Sequence, residues 1–274
     1  MKNKTKKALC AISILGVVAI SGIFAYLTDN ESKENVFTIG NVDIELLEPS
    51  WPTEDLHGDA ENDDGPNGIP DAVENLVPNQ FVAKDSQVKN VGKNDAYVFL
   101  RLQCKQEDVP ILNYNPDGSE SHGRTTIAYN LVPDIDEGLG PMIEGRDWVV
   151  LLSYSGETEN GEILVFAYKN ALAPGETTPA LFDGIKINNI SEEFSNLENC
   201  LKVEAFAIQA DGLPEDIAET IAETAEGMEK IDYNDFGEED VEAFFAYSNA
   251  MGAVYDIIMN QNPDAQPAEF TPYL

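Results

Sequence analysis

Ala96-Tyr97-Val98-Phe99-Leu100-Arg101-Leu102-Gln103-Cys104-Lys105 is the stretch that decides the fold class. Val98, Leu100 and Leu102 alternate with Phe99, Arg101 and Gln103, and a period of two places the first set on one face of a β-strand. The residues before it, Asn90-Val91-Gly92-Lys93-Asn94-Asp95, are turn formers. Working outward, the same kind of signal recurs. Gln80–Asn90 reads as a strand region, as do Trp148–Tyr154, Glu162–Tyr168, Gly184–Ile187 and Leu201–Ala210. Toward the N-terminus, Val36–Leu47 reads as one strand with a kink. Phe37 and Ile39 share a face; beyond Gly40 the apolar set shifts to Val42, Ile44 and Leu46, with Asn41, Asp43 and Glu45 at the wet positions. A parity switch at a glycine predicts a bulge. The polar stretch Gln106–Asp147 is expected to be mostly loop, with one short strand near Thr125–Leu131.

Many strands separated by Gly, Pro and Asn turns, without intervening helices, predict a mainly β domain. The expected architecture is an antiparallel β-sandwich of jelly-roll type. After Gly212 the period changes. Ile217, Ile221, Ala225 and Met228 recur at helical spacing, behind Glu215 and Asp216, which favour a helix start electrostatically. A second helix is expected with Asp235 as its N-cap and the stripe Val241, Phe244, Phe245, Ser248, Met251, Tyr255, Ile258 and Met259. That stripe reads as a packing face toward the sandwich or the first helix, the other reading being a partner-binding surface. The tail beyond Asn262 carries Pro263, Pro267 and Pro272 and is expected to be loosely ordered. The chain therefore divides into residues 1–25, a β domain over 26–212 with an acidic Gly/Pro-rich loop at 53–75, and a helical C-terminal extension over 213–274.

The N-terminus has the form of a secretory signal. Lys2, Lys4, Lys6 and Lys7 precede the uncharged run Ala8–Ala25, and polarity returns at Thr28-Asp29-Asn30-Glu31. A cut after Ala25 would make Tyr26 the first mature residue. The competing reading is a retained membrane anchor, because the run is long enough to span a bilayer; Gly16, Ser21 and Gly22 make it a poor one. Cutting off residues 1–25 removes these four lysines and leaves 12 of the 16 basic residues against 50 acidic ones, a formal charge of −38. Such a surface repels nucleic acid and anionic lipid and attracts cations. Membrane contact is then expected only through an uncut signal.

Three further features bear on chemistry. Asp63-Asp64-Gly65-Pro66-Asn67-Gly68-Ile69-Pro70-Asp71-Ala72-Val73-Glu74 imitates a twelve-residue calcium loop. Asp63, Asn67, Asp71 and Glu74 are its oxygen donors, Gly68 its sharp turn, and Ile69 its backbone carbonyl ligand. Gly65 supplies no side-chain oxygen at the third position, so the pattern is degraded, and a solvated acidic loop is the alternative. Cys104 and Cys200 both lie in or beside strand-like runs with opposite alternation parity, which leaves their pairing open. Enzymatic chemistry is not expected. His57 and His122 are the only histidines, and neither sits in an H-E-x-x-H pattern. No G-x-S-x-G motif occurs around Tyr154-Ser155-Gly156.

Four segments, in order, resemble the TasA/camelysin family of Gram-positive exported proteins. The first is Phe24-Ala25-Tyr26-Leu27-Thr28-Asp29 followed by Asn35–Ile44. The second is Leu76–Gln80 with Lys84-Asp85, Asn90-Val91-Gly92 and Ala96–Leu100. The third is Leu172-Ala173-Pro174-Gly175-Glu176-Thr177-Thr178 with Leu181-Phe182. The fourth is Ala205–Ala210. They span Phe24 to Gly212; the C-terminal sixty or so residues depart from the pattern. The resemblance implies a jelly-roll-like sandwich, processing by a dedicated signal peptidase, and extracellular fibres of a biofilm matrix or cell surface. It further implies homopolymerisation by donation of the mature N-terminal strand, here about Tyr26–Leu47, with Phe37, Ile39, Val42, Ile44 and Leu46 as the inserted side chains. Alternation alone leaves that strand equally able to close its own domain. The alternatives to a fibre protein are a monomeric calcium-binding or adhesive surface module and, from the camelysin branch, a secreted metallopeptidase.

Overall fold

The computed structural model describes residues 34–35, 42–51, 77, 79–104, 109–114, 119–125, 129–132, 147–158, 161–189, 201–231, 237–265 and 271–272. The chain is mainly β, with antiparallel sheets and two C-terminal helices. In chain order the strands are β1 (Glu34–Asn35), β2 (Ile44–Leu47), β3 (Phe81–Ala83), β4 (Gln87–Asn90), β5 (Ala96–Cys104), β6 (Val109–Tyr114) and β7 (Glu120–Thr125). They continue with β8 (Tyr129–Val132), β9 (Trp148–Val150), β10 (Gly156–Thr158), β11 (Gly161–Tyr168), β12 (Gly184–Ile187), β13 (Leu201–Gln209) and β14 (Thr271–Pro272). The helices are α1 (Glu215–Met228) and α2 (Glu238–Gln261).

The largest sheet runs β1-β13-β5-β11-β10-β14, with β9 beside β11. β5 is its spine. It pairs antiparallel with β13 over its whole length, from Leu201↔Cys104 to Gln209↔Ala96. On the other side it pairs with β11, from Glu162↔Cys104 to Ala167↔Phe99. Both faces of this spine are buried, because Val98, Leu100 and Leu102 are covered as fully as Phe99 and Arg101. The odd-numbered face of β5 meets α2. Tyr255 packs its ring 5.5 Å from Phe99 and 5.9 Å from Phe206, and Tyr154 joins it edge-on at 5.3 Å. The even-numbered face shares one contiguous apolar core with Val42, Ile44, Leu46, Val88, Leu131 and Phe182. Each such side chain contributes about 1.5–3 kcal/mol by leaving water.

α2 is therefore a lid on the large sheet. Phe244, Ser248, Met251, Tyr255, Ile258 and Met259 are buried, so the stripe is a packing face; Val241 and Phe245 are only partly covered. Ser248 Oγ donates to the carbonyl of Val150 at 2.9 Å. The Tyr247 hydroxyl donates to the carbonyl of Lys169. Gly252 lies so close to Tyr154 that a Cβ there would come within 2.8 Å of the ring.

Several expectations are corrected. The span from Gln106 to Asp147 holds the hairpin β6–β7 and strand β8, not one short strand. β7 reads Glu-Ser-His-Gly-Arg-Thr, which has no apolar alternation to detect; its strand character comes from backbone pairing with β6. The expected strand Trp148–Tyr154 stops at Val150 and continues as a 3-10 turn over Leu152–Tyr154. Gln80–Asn90 is broken into β3 and β4. The second helix begins at Glu238 behind Gly237, and not behind Asp235. Asp240 supplies the cap, its carboxylate accepting from the Gly237 N–H at 2.8 Å. The tail is not wholly loose, since Thr271–Pro272 pairs with β10. The Gly40 kink lies outside the described residues.

Candidate assembly edge and the clusters that frame it

The N-terminal segment is held in two unequal ways. β1 lies at one edge of the large sheet and pairs parallel with β13, Glu34 opposite Glu204 and Asn35 opposite Ala205. Among the described residues it covers two positions of a nine-residue strand. β2 pairs antiparallel with β4 over four residues, Ile44↔Asn90 to Leu47↔Gln87. Val42, Ile44 and Leu46 are buried, while Asp43 and Glu45 face water.

β4 is clasped from its far side by the segment Leu172–Leu181. Asn90 N–H donates to the Glu176 carbonyl and Thr178 N–H to the Val88 carbonyl, each at 2.9 Å, and Leu181 N–H donates to Ser86 at 3.0 Å. Gly175 makes the turn with φ +83°, a conformation that side chains disfavour. Its N–H reaches the Asn90 carbonyl at 2.7 Å. The fully buried Asn90 side chain spends both amide hydrogens, on the carbonyls of Asn94 and Leu172, and its oxygen accepts from Gly92 N–H. The Asn90-Val91-Gly92 turn and the Leu172–Thr178 stretch are thus two halves of one hydrogen-bonded clasp.

Beyond β2 the chain is pinned by charge. Glu48 Oε1 accepts from Lys84 Nζ at 2.8 Å and from Ser86 Oγ at 2.9 Å. Both Glu48 and Lys84 are more than nine-tenths buried. Lys84 Nζ also sits 4.4 Å from the centre of the Trp51 ring, within cation–π reach. Ser50 completes the pin, its N–H and Oγ both donating to the Asp85 carboxylate at 2.7 and 2.8 Å.

A second buried cluster ties the C-terminal extension down. On the helix-facing side of the sheet, Arg101 Nε and Nη2 both lie 2.7 Å from Glu204 Oε2, and Lys202 Nζ lies 2.7 Å from Oε1. Arg101 also stacks over Phe206 and donates from Nη1 to the carbonyl of Ala265 at 2.5 Å. Burial alone would raise the Glu204 pKa, but Arg101 and Lys202 together outweigh it and hold the carboxyl below the usual range. Nearby, burial pushes the Tyr255 hydroxyl up to about 12.

Sequence reading missed Glu48, Lys84, Ser86, Arg101 and Glu204 as framing residues. Charged residues inside apolar strands were the available signal: Arg101 between Leu100 and Leu102, and Glu204 between Val203 and Ala205. Of the candidate assembly residues, the structure places Val42, Ile44 and Leu46 in the chain's own core. Phe37 and Ile39, the cut site Ala25–Tyr26, and the calcium-loop candidates Asp63, Asn67, Ile69, Asp71 and Glu74 lie outside the described residues. So do Cys200 and the side chain of Cys104. Among the described residues, no group of three or more His, Cys, Asp or Glu side chains is placed to hold a metal ion, and no helix is long and apolar enough to cross a membrane.

No family model, curated protein or solved structure matches this chain.

Proposed function

We propose that the protein is exported, cut after Ala25, and works outside the cell as a non-enzymatic structural protein of the surface or biofilm matrix. Copies join by donation of the N-terminal strand, and the sheets stack as a jelly-roll-like sandwich. The observation that carries this reading is the unequal anchoring of β1. Its two described residues cover two of the nine positions of β13, and they lie just behind the proposed cut. A strand held by so few ladder bonds exchanges easily for the same strand of a neighbour, and an edge so lightly covered offers backbone N–H and C=O groups to it.

The anchoring also narrows the donor. Val42, Ile44 and Leu46 fill their own core, and Glu48 is pinned to Lys84. The exchanging segment therefore ends before Val42, and Val42–Ser50 stays at home as its root. Electron microscopy of protein beginning at Tyr26, with and without calcium, tests the proposal. Filaments that disappear when residues 26–41 are deleted support it. A protein that stays monomeric in both conditions is a surface module of another kind, and filaments that persist without residues 26–41 refute strand donation. Mutual repulsion at a charge near −38 requires salt or divalent ions for growth.

A further inference from the structure

Along its main path the large sheet ends in a two-residue strand at each edge, β1 and β14; the buried strand β9 flanks the rest of β11, and its Val150 carbonyl is taken by Ser248. β14 pairs antiparallel with β10 through Glu157↔Thr271 and Gly156↔Pro272. In an antiparallel ladder, successive pairs alternate between residues that exchange N–H···O=C bonds and residues whose N–H and C=O point away from the partner. Proline has no N–H to exchange. Glu157↔Thr271 is therefore the bonded pair, and Pro272 turns its nitrogen to the outside of the sheet. A further strand arriving there meets no donor, which is how natural sheets close an edge.

Beneath this cover lies an edge able to pair. The same alternation puts the N–H and C=O of Glu157 on the side away from β11, toward β14. Without β14 they would have no ladder partner among the described strands. The cover is light but tethered, because Ala265, six residues before Thr271, is held by Arg101.

We infer that β14 is an edge cap, and that the edge it hides, Gly156–Thr158, would pair with the same edge of a second copy once bared. Pairing of β10 with its own copy is antiparallel and two-fold, so it needs no surface other than the one present. Glu157 is exposed, and two copies bring like charges near each other, so the uncapped interface strengthens with salt. The cap leaves the lightly covered β13 side as the available end of the sheet's main path. Taken with strand donation there, on which this last step rests, the cap keeps copies in single file and prevents side-by-side sheet growth.

The test uses mature protein carrying Glu34→Pro and Asn35→Pro, which disables the N-terminal donor strand, so its result is separate from that of the filament experiment. Deleting residues 266–274, or making the single change Thr271→Pro that removes the bonded N–H, is expected to convert monomer to dimer in sedimentation at high salt. Association should be at least about ten-fold tighter than with the cap intact, and adding Glu157→Pro should return the protein to monomer. Thr271→Pro touches one exposed residue, so it reports even if the deletion fails to fold. A folded Thr271→Pro protein that remains monomeric overturns the inference, as does a dimer indifferent to Glu157→Pro.

Discussion

Glu34–Asn35 and Ile44–Leu47 lie about ten residues apart and both pair as strands, yet they are held by different orders of interaction. The second buries three large side chains with Val42 counted in, runs four residues along β4, and ends on a buried ion pair. The first meets the sheet over two residues at an edge. Strand assignment alone therefore says little about mobility. The number of buried side chains and satisfied charges behind a strand decides whether it can leave.

The largest effect is expected at the strongly held strand. Glu48→Ala leaves Lys84 buried without its carboxylate, and loss of one partner of a buried pair typically costs about 3–5 kcal/mol. Denaturant unfolding should show a loss of that size; a change under ~1 kcal/mol would mean that β2 is not pinned as described. Leu46→Ala should cost about 2–5 kcal/mol by removing core contact and leaving a cavity. Next comes acid. Glu204 has a depressed pKa in the folded protein, so its stabilisation is fully present above the unfolded value of about 4.3 and is lost as pH falls through the lower folded value. Unfolding free energy measured across that window should decline, and Glu204→Gln should flatten that part of the decline while lowering stability at neutral pH. The smallest effect on the monomer is expected at β1. Glu34→Pro with Asn35→Pro should change unfolding by less than about 1 kcal/mol, because only two ladder positions are lost, and should abolish the filaments proposed above. A large destabilisation there would erase the contrast between the two strands.

The central sheet was legible because β5, β11 and β13 are rich in apolar residues at strand spacing, and because the turns between them are spelled by Asn, Gly and Pro. Val42, Ile44 and Leu46 were legible for the same reason. The α2 stripe was legible from its helical period, although Gly237 and Asp240 form its start where Asp235 was expected. The β6–β7 hairpin was not legible, since Glu120–Thr125 carries no apolar face and forms through main-chain pairing. The framing charges were half legible. Arg101 and Glu204 interrupt apolar strands, but only the register Glu204↔Arg101 brings them together. β14 gave no signal at all, because two residues around a proline carry no period.

The bond from Arg101 to Ala265 joins positions 164 apart in the chain. Contacts so distant in sequence form late, because closing a long loop must precede any gain from it. Until residue 265 is available, one face of the central sheet has no complete roof, and Nη1 of Arg101 lacks the acceptor it has in the finished fold, although Glu204 already holds the rest of the guanidinium. A polypeptide emerging from its N-terminus thus cannot complete its own interior until its last helix has been made.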